Sequence, residues 1–177
     1  MAFRGEFSQK VDRKARVSVP AAFRAVIQSG DPDHTPAKRA RFVMVYGGDT
    51  RRYLECYTLA GMRRLEGRIA RMKLGDRRRT YLQKNLIRQS IEVEIDEDGR
   101  IVLPPQGREK IGLAGEALED GAEAVFAGDL ETFQVWNRAD YDADMAGTAE
   151  MAGELLASGE DMLSLLPDDD DDVDAGA

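Results

Sequence analysis

The 177-residue chain has one cysteine, one histidine and no run of apolar residues near the roughly 20 needed to span a bilayer. A single cysteine, Cys56, excludes an internal disulfide framework and suits a reducing compartment. With only Cys56 and His34 available, the nitrogen and sulfur ligands of a zinc site are missing. "GRIVLPPQG" lacks the Lys and Ser/Thr of a phosphate-cradling P-loop. His34 stands in the Pro/Asp-rich stretch "GDPDHTP" and is expected to be an exposed loop residue, while Cys56 is expected to be a small apolar residue buried in a strand. The start "MAFRGEFSQK" has no apolar core of the kind a secretory signal carries. The chain therefore does not read as an enzyme, and no cofactor, metal, membrane or small-molecule substrate is expected.

Basic residues are scarce in one half only. Residues 1–100 hold 22 of the 25 Lys and Arg but 13 of the 33 Asp and Glu; residues 101–177 hold 3 and 20. The net charge of −8 thus conceals a basic half, suited to a polyanion, and an acidic one.

What is present is a phrase written twice. "VDRKARVSVPAAFR" from Val11 and "IDEDGRIVLPPQGR" from Ile95 align at a spacing of 84 residues. Asp12 falls on Asp96, Arg16 on Arg100, Pro20 on Pro104 and Arg24 on Arg108. Further on, "ARFVMVYGGD" and "YLECY" are echoed by "AEAVFAGDL" and "TFQVW". "IEVEI" (Ile91–Ile95) and "TFQVW" alternate with period two, the pattern of half-buried strands. Each half is predicted to be strand, tight turn, strand, short helix and hairpin.

The turns lie between the repeated Asp and Arg. "DEDG" has hairpin chemistry, with Gly99 free to take positive φ, whereas Ala15 would be strained in the matching place. Pro20 and Pro104 fit the first turn of a helix, and those helices are expected to stop near Gly30 and Gly112. Between the halves, Leu59, Met62, Leu65, Ile69 and Met72 recur at helical spacing. Gly75 breaks this helix, and Asp76 can cap another running to about Gln89. A further helix is predicted from about Arg138 to Leu156, with Tyr141, Met145, Leu155 and Leu156 inward. The expected organisation is a first repeat at 1–57, connecting helices at 58–90, a second repeat at 91–136, a C-terminal helix at 137–157 and a disordered acidic tail at 158–177. Neither half alone could bury much of a core, so the two should interlock.

Arg13, Lys14 and Arg16 cluster on the first turn, with Lys10 in the strand before it and Arg4 near the chain start. A hairpin loop bearing three cations can enter a nucleic-acid groove, its guanidinium forks matching phosphates or guanine edges. The other reading is a solvated turn braced by an Asp12–Arg16 pair. The cluster Arg77–Arg79 is expected to cover an exposed helix face or serve a subunit interface.

The chain resembles the MraZ family in "FRGEF" (Phe3–Phe7), the two D-x-x-x-R turns, the linking "RRRTYLQKNL" and the closing "FQVW". The resemblance covers about residues 1–150. It implies a mainly β fold with flanking helices, in which two pseudo-symmetric AbrB-like (SpoVT-AbrB) repeats form a double-split, swapped-hairpin β-barrel. It implies a cytoplasmic, nucleoid-associated bacterial regulator, usually a repressor, binding direct repeats in double-stranded DNA upstream of the division and cell-wall gene cluster that includes its own operon. It also implies a ring-shaped homo-oligomer. Carried over by position, the DNA-contact residues are Arg16, its neighbour Lys14 and, in the second turn, Arg100. AbrB-type folds also serve as antitoxins, which usually carry one such unit and an apolar-studded tail.

Overall fold

The computed structural model describes residues 1–119, 121–157 and 159–167. β1 (Glu6–Val11) turns into β2 (Arg16–Ser18), followed by α1 (Ala21–Ser29) and the strands β3 (Arg41–Val45) and β4 (Leu54–Thr58). Next come α2 (Leu59–Arg71) and α3 (Arg77–Leu82), which runs on as a π-helical turn, Gln83–Ile87. The series then repeats as β5 (Ser90–Glu94), β6 (Arg100–Val102), α4 (Pro105–Lys110), a short α5 (Glu116–Glu119), β7 (Ala122–Asp129) and β8 (Thr132–Asn137). The predicted order of elements is present in both halves.

Residues 1–140 form one compact unit. Its main sheet has six antiparallel strands in the order β1-β7-β8-β4-β3-β5. Exchanging each strand for its repeat counterpart reverses this order onto itself, which places a pseudo-two-fold axis between β4 and β8. Each half lends its first strand to the hairpin of the other. Phe7 of β1 lies opposite Phe126 of β7, and Ile91 of β5 lies opposite Met44 of β3. β2 and β6 pair only with each other, as a separate ribbon of three residues a side. The expected closed barrel is therefore not formed by the main ladder, which ends at β1 and β5, because β2 and β6 leave it to pair only with each other.

The exchange is cemented by aromatic burial. Phe3, Phe23, Phe42, Phe126 and Phe133 are fully buried in one cluster, with Phe7 packed against it. Phe133 of the second half touches Phe3, Phe23 and Phe42 of the first, with ring centroids 4.9, 5.2 and 5.4 Å away. Such pairs add about 0.5–1.5 kcal/mol each beyond the area they bury. A second cluster, Val45, Ile69 and Leu86, seats α2 and the π-helical turn on the sheet.

Local signals act much as expected. Asp76 caps α3 as expected, and Thr58, which was not foreseen, caps α2, each side chain accepting from an amide in the first turn. Gly30 closes α1, and Gly112, at φ 68°, follows α4. Pro20 and Pro104 stand one position earlier than expected, at the N-cap rather than inside the first turn. Their extended backbone hands β2 and β6 to the helices, and Pro105 takes the first helical position. His34 is half-buried rather than exposed, because its loop folds around the buried Asp31, whose carbonyl accepts from the His34 amide at 3.1 Å. Cys56 is fully buried in β4, and burial pushes its thiol pKa well up.

Residues from Tyr141 onward form a separate unit. The single helix expected from 138 to 156 is two, α6 (Arg138–Ala146) and α7 (Thr148–Leu155), parted at Gly147, a poor helix former. Tyr141 is buried, but Met145 and Leu155, expected inward, are 47% and 56% exposed. Beyond them Met162–Leu165 forms a 3-10 turn capped by Asp161. Of the acidic tail expected to be disordered at 158–177, residues 158 and 168–177 lie outside the described residues, and the described part contains this turn.

Candidate nucleic-acid interface

The two Asp-x-x-x-Arg turns share one geometry. In the first, Asp12 Oδ1 accepts from the amides of Lys14 and Arg16, both at 2.9 Å, and the Asp12 carbonyl accepts from the Ala15 amide at 2.8 Å. In the second, Asp96 Oδ1 accepts from Asp98 and Arg100 at 3.0 and 2.8 Å, and its carbonyl from Gly99 at 3.0 Å. A short carboxylate is needed at the first position because it imitates a turn of backbone. The fourth position needs positive φ, which is 60° at Ala15 and 76° at Gly99. Ala15 tolerates this with its methyl group fully buried in the core.

The arginine closing each turn reaches back to its aspartate. Arg16 Nε meets Asp12 Oδ2 at 2.6 Å, and Arg100 Nε meets Asp96 Oδ2 at 3.4 Å. Chiefly the amide of Arg16, and then its guanidinium, hold the Asp12 carboxyl below its ordinary pKa; the amide of Arg100 leads for Asp96. The bracing pair and the cationic turn are thus one arrangement, since the Arg16 side chain remains 40% exposed.

The turns differ in charge. Between the shared Asp and Arg, the first carries exposed Arg13 and Lys14 and the second Glu97 and Asp98. Arg100 is also held by Asp98, and Arg39 of the first half binds Glu94 and Glu97 at 3.1 and 3.2 Å. Arg24 of α1 donates to the Val19 carbonyl at 3.0 Å and lies over Gly99, where an added methyl group would meet its Nη1 at 2.3 Å. The second turn is a neutralised, clamped element and the first an open cationic one.

Sequence reasoning did not find the placement of Arg24 over Gly99 or the pairing of Arg39 with Glu94 and Glu97, because these groups lie far along the chain from them. It also did not foresee that the β2–β6 ribbon joins the turns. Arg16 opposes Val102 and Ser18 opposes Arg100, so these four share the outer face while Val17 and Ile101 face the core. Crosswise bonds tie the ends, from the Val19 amide to the Gly99 carbonyl and from Leu103 to Ala15, both 2.9 Å.

Of the other expected contacts, Lys10 is exposed on β1 beside the first turn, opposite Glu123. Arg4 is exposed but lies beyond the other end of β1, roughly 20 Å of strand away. Among the described residues no group of three or more His, Cys, Asp or Glu is arranged to hold a metal. No helix among them is long and apolar enough to cross a membrane.

The fold and site thus define a strand-exchanged, duplicated β unit that displays one cationic and one neutralised turn. The family model described as "MraZ protein, putative antitoxin-like" matches residues 86–154. The transcriptional regulator MraZ of Cereibacter sphaeroides is 54% identical over 165 residues, covering 93% of this chain and 95% of its own. That of Ruegeria pomeroyi is 42% identical over 169 residues, covering 96% and 91%, and that of Coxiella burnetii 28% identical over 161, covering 90% and 93%. The chain belongs to the MraZ family of transcriptional regulators.

Proposed function

We propose that the protein is a sequence-specific DNA-binding regulator whose first turn makes the contact. The observation that carries this reading is the contrast between turns of identical geometry, one presenting exposed Arg13 and Lys14 beside Arg16, the other with its acids clamped by Arg39 and Arg100. Arg13, Lys14 and Lys10 neutralise phosphates and supply affinity, while Arg16, pre-oriented by Asp12, reads a base edge and supplies specificity. Arg100 braces the second turn, and Arg4, remote along β1, adds a peripheral phosphate contact.

Family membership supports repression of the division and cell-wall gene cluster, its own operon included, through direct repeats in the promoter. One turn per chain reads little sequence, so successive repeats are engaged by successive subunits of a closed homo-oligomer. Footprinting of DNA upstream of its own gene tests this, with protection of tandem repeats expected. Protection indifferent to the repeat sequence would overturn it. The antitoxin alternative is favoured by the family description and by exposed apolar residues near the C-terminus. A small toxin frame beside the gene would support it.

A further inference from the structure

Two surface features are not used by the turns. The first is a groove of about 310 Å³ between α2 and the π-helical turn, lined by Ile69, Ala70, Ile87 and Gln83, with Arg79 and Arg88 against a single carboxylate, Glu66, among its charged residues. It lies in the most basic part of the chain, where residues 59–89 hold ten Lys and Arg against Glu66 and Asp76. Leu74 and Tyr81 of the same region are 80% and 61% exposed. Arg79 also donates to the Ala70 and Met72 carbonyls, which fixes the groove wall.

The second is the stretch "EDMLSLLP". Met162, Leu163, Leu165 and Leu166 are 70%, 64%, 50% and 65% exposed on and beside the 3-10 turn. Four large apolar side chains in five residues are not ordinary surface, and contiguous exposure of this kind marks a contact. The flanks are acidic, with Glu160 and Asp161 before the stretch and an Asp run after it in sequence. Residues 141–167 contain six acidic and no basic side chains.

We infer that the segment Glu160–Leu166 of one chain docks in the α2/π-turn groove of a second copy. Leu163 and Leu166 pack against the exposed Ala70 and Ile87, above the buried Ile69, and the flanking carboxylates face Arg88 and the arginines around it. Charge and polarity fit together: an apolar core with anionic flanks meets an apolar floor whose two arginines outweigh the one carboxylate, Glu66. A second copy is the occupant because this chain itself carries both matching halves, a basic region at 59–89 and an acidic stretch without basic residues at 141–167. The contact is head-to-tail, the kind that generates rings when its rotation closes. It rests on the self-association part of the proposed function and not on the DNA contact.

The test mixes two full-length chains, one carrying Ile87→Cys and the other Leu163→Cys, under mild oxidation; the native Cys56 is buried. The expected result is a disulfide-linked dimer that forms faster in the mixture than with either chain alone. It should be lost at high salt, and lost when the Ile87→Cys chain also carries Arg88→Glu. Absence of the mixed dimer, or linkage of either variant with itself at the same rate, would overturn the contact. So would a double variant that closes only within its own chain, which shows docking in cis, or a Leu163→Cys thiol that links only to a foreign protein. Light scattering on the unsubstituted protein separates the two failures. A particle larger than a dimer without the mixed link leaves the ring standing and removes this contact, whereas a monomer removes both.

Discussion

Arg16 and Arg100 lie on one exposed face of the β2–β6 ribbon, diagonal to each other because Arg16 opposes Val102 and Ser18 opposes Arg100. Diagonal neighbours across an antiparallel pair are about 7–8 Å apart. Two positions 84 residues apart in sequence thus become neighbours, although their turns carry opposite charge. A fold with pseudo-two-fold symmetry thus displays two electrostatically different turns.

Arg16→Ala should abolish specific DNA binding with the fold retained, since the side chain is part-exposed and only its Nε is engaged by Asp12. Loss of a bidentate base contact costs about 1–3 kcal/mol per site, multiplied across a multivalent assembly. Arg100→Ala should weaken binding much less. Gel shifts of a promoter fragment, with circular dichroism for the fold, check both. Equal losses from the two variants would show that the charge difference between the turns is irrelevant.

Gly99→Ala should destabilise the protein by about 1–2 kcal/mol, the cost of placing an ordinary residue at positive φ. The new methyl group would also displace the Arg24 guanidinium. Ala15→Gly removes a similar strain but also removes a fully buried methyl group worth about 0.8 kcal/mol, so it should change stability by less than the first. Urea unfolding of both variants measures the contrast. A neutral Gly99→Ala would mean that the turn relaxes at no cost.

Phe133→Ala should cost about 3–5 kcal/mol, the range for deleting a buried aromatic side chain. Phe133 bridges the halves through Phe3, Phe23 and Phe42, so both should weaken together. The expected outcome is one cooperative transition at lower denaturant. Two separated transitions would show that the halves are independent.

Acid should destabilise the protein through its engaged carboxylates. Burial opposes ionisation of Asp31, but the amide of Asp33 and the guanidinium and amide of Arg41 outweigh it and hold the folded pKa below 3.8. Asp12 and Asp96 are lowered in the same direction. As pH falls the unfolded chain takes up these protons first. The stabilisation is therefore complete above the ordinary carboxylate value and is lost as pH drops through the lower folded values. The stability gap between the wild type and Asp31→Asn should close over that range. A gap unchanged down to strongly acid pH would show that the Asp31 charge contributes nothing.

The repeat, both turns, the Asp76 helix cap and the charge asymmetry were legible along the chain, because each depends on chemistry acting over a few residues. Asp12 reaches amides two and four positions away, Asp76 one two positions away, and alternation in "TFQVW" marks the buried face of β8. The clamp on the second turn was not legible, since Arg39 meets Glu94 and Glu97 across 55 and 58 residues. Helical spacing placed Met145 and Leu155 inward, but only packing decides whether an apolar stripe is covered. "MLSLL" was hidden in an acidic tail whose charge dominated its reading. Which strand each half lends to the other, and the convergence of all six phenylalanines on one core, were decided by tertiary structure alone. A short hydrophobic strand can pair with any compatible edge, and the exchanged arrangement prevails because neither half can cover its own aromatic face.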